Sequence, residues 1–86
     1  MDEKVLLIDD EQDFMDVLAE RMRGRGMQVS TTTSPIEALD KAGEENFDAI
    51  ILDLMMPEMD GLEALTRLRE KNPDLIICVT TSGRNW

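Results

Sequence analysis

The chain is predicted to fold as an α/β domain: a parallel sheet with helices on both faces, built in the order βαβαβαβ. Three observations predict it. Val5-Leu6-Leu7-Ile8 and Ala49-Ile50-Ile51-Leu52 are short, wholly apolar runs, as strands buried on both faces require. Segments with apolar residues at helical spacing separate them, and such alternation favours right-handed crossovers and parallel pairing. Both runs also end in acid, Asp9-Asp10 after the first and Asp53 after the second. Ligand sites in open parallel sheets lie beyond the carboxyl ends of the strands.

The first strand is expected at residues 4–8 and the first helix at about 12–23, with Phe14, Val17, Leu18 and Met22 at helical spacing. Asp10 or Glu11 can cap that helix, and Gly24 and Gly26 punctuate its end. Residues 27–32 alternate weakly and are rich in threonine, which suits an edge strand. Ser34-Pro35-Ile36-Glu37 opens a second helix, with Ser at the N-cap, Pro at the first position and Glu at the third. It should run to about Ala42, turn Ile36, Leu39 and Ala42 inward, and stop near Gly43. A strand at 48–53 and a loop at 54–60 follow. Asp60-Gly61-Leu62-Glu63 then opens a helix with Leu62, Leu65 and Leu68 along one side, stopped by Asn72-Pro73. The last strand is expected at 75–80, with Cys78 as core filler, and residues 81–86 form a polar tail. Linkers, repeats and low-complexity stretches are absent, so residues 1–86 read as one domain.

A chain of 86 residues buries roughly 60–65% of its unfolded surface, so the core is modest. The formal net charge of -10, from 19 acidic and 9 basic residues, argues against nucleic acid as a direct partner and against anionic membrane surfaces. Basic partners and divalent cations are favoured instead. Much of the acid at the start, with Arg21, Arg23 and Arg25 after it, is explained by dipole complementarity along the first helix. The position of Asp9-Asp10 at a strand end is not. The single cysteine cannot form an intrachain disulfide, Met1-Asp2-Glu3-Lys4 lacks an apolar signal region, and no run reaches membrane-span length. A cytoplasmic location is the expectation. With no His and one Cys, a zinc site is effectively excluded.

Asp9, Asp10 and Asp53 are therefore candidates for one site. Asp9-Asp10 alone would more often be a helix cap, Thr80 an ordinary β-branched strand residue, and Met55, Met56 and Met59 packing. Gly61 and Pro57 are explained by turn chemistry. Asp53 is harder to dismiss, because a charge directly after a buried strand has a desolvation cost unless something pairs with it. Two carboxylates ~5 Å apart repel by about 3 kcal/mol at an effective dielectric near 20. Either a raised pKa or a cation must relieve such a cluster. Mg²⁺ does so with oxygen ligands, retained waters and a substrate phosphate.

Asp53-Leu54-Met55-Met56-Pro57-Glu58-Met59-Asp60-Gly61, with Leu7-Ile8-Asp9-Asp10-Glu11 before it, resembles the receiver domain of bacterial two-component response regulators. That resemblance implies a flavodoxin-like, CheY-like fold with strand order 2-1-3-4. It also implies that Asp53 is the phosphoacceptor, receiving its phosphoryl group from a sensor histidine kinase or a phosphotransfer protein. Asp10 matches a direct ligand of the required Mg²⁺, Asp9 an acid that usually acts through water, and Met55 the residue whose backbone carbonyl completes the metal site. Thr80 matches the hydroxyl switch. The implied activity is a phosphoacceptor with at most self-catalysed phosphorylation and dephosphorylation, and not an enzyme.

The sequence departs from the family in covering about two thirds of the pattern, ending after a fourth strand. No lysine follows Thr80, where the family's lysine contacts the phosphoryl group, and Lys4, Lys41 and Lys71 do not match that position. Poor phosphorylation or switching is the expectation. An apolar fourth-strand edge, Leu75-Ile76-Ile77-Cys78-Val79, invites pairing with another chain, as does an apolar patch beside the Phe14/Leu18 helix. A homodimer or domain-swapped assembly is expected, and an interaction or dimerisation module without phosphotransfer is the alternative function. A flavin is rejected, because an acidic first turn repels its phosphate.

Overall fold

The computed structural model describes residues 2–54 and 61–80. Four strands and three helices follow one another as β1 (Lys4–Ile8), α1 (Gln12–Arg23), β2 (Gln28–Thr32), α2 (Pro35–Glu44), β3 (Ala49–Asp53), α3 (Gly61–Lys71) and β4 (Ile76–Thr80). All pairings are parallel, and the sheet runs β2-β1-β3-β4. The doubly covered α/β architecture, the strand order and β2 at an edge are as predicted. β1 has the expected bounds, β2, β3 and β4 each begin one residue later than expected, and α2 runs through Gly43 to Glu44.

Local chemistry accounts for the ends. Ser34 accepts the Glu37 N–H at 3.2 Å, with Pro35 in the first turn of α2, so one of the orphan donors of that terminus is satisfied. Glu11 occupies the N-cap of α1 without a side-chain capping bond. After α1, the N–H of Gly24 reaches the Glu20 carbonyl and Gly26 adopts φ 93°, a turn that glycine enters at little cost.

The register gives each face its core. Leu6, Ile8, Ile50 and Leu52 share one face with Ala38, Leu39, Ala64 and Leu68 of α2 and α3. Val5, Leu7 and Val29 form a smaller cluster on the opposite face with Met15 and Ala19 of α1. Full burial of a side chain such as Leu6 or Leu52 contributes roughly 1.5–3 kcal/mol, and the central strands β1 and β3 are buried on both faces.

The helix faces agree with the expectation in part: Leu39 and Leu68 are buried, and Leu18, Met22, Ala42 and Leu65 pack on the core. Phe14 and Val17 are exposed, whereas Met15 and Ala19 are buried; Ile36 and Leu62 are likewise exposed, whereas Ala38 and Ala64 are buried. Each helix buries an alanine together with a larger apolar residue: Ala19 with Met15, Ala38 with Leu39, and Ala64 with Leu68. The apolar stripe of a helix is roughly 100° wide or more, so periodicity alone leaves open which of its edge residues reach the core. Cys78 is exposed rather than core filler. It pairs with Ile51, a residue that packs on the α1 cluster, so it lies on the face where α1 stands over the β1–β2 half of the sheet.

Candidate metal centre

The site follows from register. Ile8 pairs with Leu52 in the parallel ladder, so Asp9, just past β1, and Asp53, the last residue of β3, lie side by side at the carboxyl edge of the sheet. Asp10 is one step further on. The three side chains each offer a carboxylate oxygen, and those oxygens all lie within 4.8 Å of one another. Asp9 and Asp53 are 4% and 1% exposed, and Asp10 is half-buried.

This packing sets the protonation of Asp9. Burial pushes its carboxyl up from 3.8 to about 6, with the Asp53 and Asp10 side chains adding to the rise and the Glu11 N–H opposing it. That N–H donates to Asp9 Oδ1 at 2.9 Å, and the Asp9 N–H donates to the Thr32 carbonyl at 3.3 Å. The bond from Glu11 favours the ionised form, but loss of hydration outweighs it.

Three carboxylates so placed form an all-oxygen donor set of high negative charge. That chemistry suits a hard divalent cation, which keeps some of its waters and takes its remaining ligands from a phosphate. Mg²⁺ fits these residues. Soft-metal ligands are missing from the cluster.

Thr80 ends β4 opposite Asp53 in the ladder. Its carbonyl accepts the Leu54 N–H at 2.8 Å, so the end of β4 is tied to the residue that follows Asp53. The structure thus gathers Asp9, Asp10 and Asp53 and sets Thr80 next to them. Met55, the expected backbone ligand, lies outside the described residues, as do the rest of the 55–60 segment and the 81–86 tail. Lys4 and Lys41 both pair with Glu45, at the other end of the sheet, and Lys71 lies beside Gly43. None of the three takes part in the acidic cluster.

Two contributors escaped the reading of the sequence. Thr32 is buried, binds the Asp9 N–H through its carbonyl, and accepts the Ser34 N–H at 3.1 Å through its hydroxyl. Its only signal was a place in the run Thr31-Thr32-Thr33-Ser34. Gly61 sits against the main chain of Leu54, and turn chemistry did not foretell that contact.

Comparison with known proteins bears on this geometry. The family model of the response regulator receiver domain matches residues 5–85. The transcriptional regulatory protein PrrA of Mycobacterium leprae is 39% identical over 79 residues, which are 92% of this chain and 34% of that protein. A response regulator from Burkholderia pseudomallei, solved with a phosphorylated aspartic acid and a calcium ion, superimposes with a TM-score of 0.84 at 35% identity, over 90% of this chain and 45% of that one. The response regulator TrrA, solved in complex with the histidine kinase ThkA, gives 0.86 at 34% identity, over 93% of this chain and 69% of the matched one. TrrA of Thermotoga maritima has also been solved with Mg²⁺-BeF. The chain spans about a third of the length of the curated relatives it matches.

Proposed function

The chain belongs to the receiver domains of response regulators, and from that membership we propose that it accepts a phosphoryl group on Asp53 in two-component signalling. The donor is a sensor histidine kinase or a phosphotransfer protein, and the cofactor is Mg²⁺. A carboxylate oxygen of Asp53 attacks phosphorus, the P–N bond to the donor imidazole breaks with its electron pair left on nitrogen, and an acyl phosphate remains on Asp53. Attack of water on that phosphorus returns the carboxylate and releases inorganic phosphate.

The residues divide this work. Asp9, Asp10 and Asp53 hold the ion, which when bound offsets the charge of the carboxylates and of the transferring phosphoryl oxygens. Burial of Asp53 limits water at the reacting oxygen. The Thr80 hydroxyl, at the strand end opposite, donates a hydrogen bond to a phosphoryl oxygen and so reports phosphorylation to β4. Phosphoryl transfer leaves little covalent chemistry to the protein, and positioning with charge compensation supplies most of the catalysis. The chain acts on itself and turns over no separate substrate.

One observation carries the reading: three carboxylates within 4.8 Å at the carboxyl end of a parallel sheet, one of them the buried Asp53. The kinase complex and Mg²⁺-BeF complex of TrrA, and the phosphorylated aspartate of the Burkholderia regulator, support it. No helix among the described residues is long and apolar enough to cross a membrane, and the proposed role belongs to the cytoplasm. The test is the intact mass after incubation with a small-molecule phosphodonor and Mg²⁺. One Mg²⁺-dependent phosphoryl adduct on the parent and none on Asp53→Ala is the expected result. A folded parent that takes no adduct would overturn it.

A second reading is favoured by apolar exposure: Ile76 and Val79 of β4 are 63% and 48% exposed, and Phe14 and Val17 on α1 are also open. An interaction or dimerisation module would use those surfaces, through the β4 edge or by exchange of elements. Light scattering that gives a monomer at micromolar concentration would reject self-association.

A further inference from the structure

Gly61 is the described glycine whose missing side chain matters most by contact. A Cβ built on it would meet the Leu54 Cα at 2.6 Å, the Leu54 carbonyl oxygen at 2.8 Å and the Leu54 Cδ2 at 2.8 Å. Two of these three atoms are main chain, which cannot swing aside as a flexible side chain does. At Gly24 and Gly43 the nearest atoms stand at 3.4 Å, an ordinary contact. Gly26 serves its turn through a positive φ of 93°, whereas Gly61 is the first residue of a helix. Space, and not conformational freedom, is what glycine supplies at position 61.

Leu54 is the covalent neighbour of Asp53, and its N–H is bonded to the Thr80 carbonyl at 2.8 Å. The first residue of α3 therefore rests on the peptide that leads out of the proposed phosphoacceptor and joins it to the end of β4. Ala64, one turn along α3, is buried in the same core cluster as Leu52. We propose that Gly61 is a positioning residue of the acidic site: its bare Cα seats the start of α3 on the Leu54 main chain and holds the Asp53 carboxylate in reach of Asp9 and Asp10. This inference rests on the reading of Asp53 as an Mg²⁺-assisted phosphoacceptor.

Relieving a 2.6 Å contact to van der Waals distance requires a shift of about 1 Å. A displacement of that size at a reacting group costs up to about a hundredfold in rate, and loss of a residue that supports metal ligands costs roughly tenfold to a hundredfold in affinity.

The test compares Gly61→Ala with Gly43→Ala, both of which place alanine, the better helix former, where the parent has a helical glycine. Mg²⁺ affinity by calorimetry and the rate of phosphoryl uptake from a small-molecule donor are read under conditions where circular dichroism shows each chain fully folded. Expected for Gly61→Ala is Mg²⁺ binding weaker by roughly tenfold or more and a matching loss of rate, with Gly43→Ala like the parent. A folded Gly61→Ala with parental affinity and rate would overturn the proposal and leave Gly61 a packing residue. Should Gly61→Ala not fold, the parent decides by nuclear magnetic resonance: Mg²⁺ must move the Leu54 and Gly61 amide signals along with that of Asp53, and an unmoved Gly61 overturns the proposal. A folded parent that neither binds Mg²⁺ nor takes phosphoryl would instead sink the phosphoacceptor reading, and the positioning role with it.

Discussion

The two ends of the sheet use the same residue types to opposite effect. At the amino end, the acids are matched: Glu45 bridges Lys4 at 3.1 Å and Lys41 at 4.0 Å, and Asp48 accepts the Lys4 N–H at 2.8 Å. Lys4 also stands 5.5 Å over the Phe47 ring. At the carboxyl end, three carboxylates crowd within 4.8 Å, and Asp9 is pushed up to about 6. The first arrangement is half-exposed and worth little either way. The second is largely buried, and its crowding favours either a proton on Asp9 or a compensating cation. The contrast is one of crowding: like charges gather at the carboxyl end, whereas opposite charges alternate at the amino end.

The largest break in that contrast is Asp53→Ala. It should abolish the phosphoryl adduct seen by intact mass, and a residual adduct on the variant would move the acceptor to another residue. Next comes removal and return of Mg²⁺. At a hundredfold excess over its dissociation constant the ion should stabilise the chain by about 2.7 kcal/mol, read as a rise in thermal midpoint that a chelator reverses. A midpoint indifferent to Mg²⁺ would contradict the metal centre.

Asp9 sharpens the comparison through pH. Its carboxyl is raised from 3.8 to about 6 on folding, so the folded chain holds this proton more tightly than the unfolded chain. In metal-free protein its contribution to stability is full below about pH 4 and is lost as pH rises through about 6, a change on the order of 2–3 kcal/mol. Urea unfolding with chelator should therefore show Asp9→Asn more stable than the parent near neutral pH and flatter between those values. An unchanged pH slope in Asp9→Asn would assign the dependence elsewhere. Mg²⁺ binding runs the other way, weakening below about pH 6 as Asp9 takes up its proton.

The smallest effect is expected at the matched end. Lys4→Met removes a pair whose side chains are 37% and 36% exposed, and should cost roughly 0.2–1 kcal/mol in urea unfolding. Mg²⁺ affinity should stay parental. A shift in metal binding from so distant a residue would show that the two ends are coupled.

Much of this was legible beforehand because strands and helix starts are encoded locally. Val5-Leu6-Leu7-Ile8 has no other economical reading than a buried strand, and Ser34-Pro35-Ile36-Glu37 writes its cap into four residues. The edges of each helix's inward face were not legible in the same way. Phe14, Ile36 and Leu62 are the larger apolar residues, and periodicity alone turned them inward. Ala19, Ala38 and Ala64 are buried instead, beside Met15, Leu39 and Leu68, because packing against the sheet and not residue size decides which edge of the stripe is covered.

By itself, the sequence determined the alternation of strands and helices, the acids at two strand ends and, through the motif around Asp53, the family resemblance. The convergence of Asp9, Asp10 and Asp53 was expected from the strand ends, but tertiary structure alone decided the register that sets Ile8 against Leu52 and the burial that raises the pKa of Asp9. It also decided that Gly61 meets the Leu54 main chain. Both facts depend on register and on the distance between elements remote in sequence, and residue types carry neither until the sheet has formed.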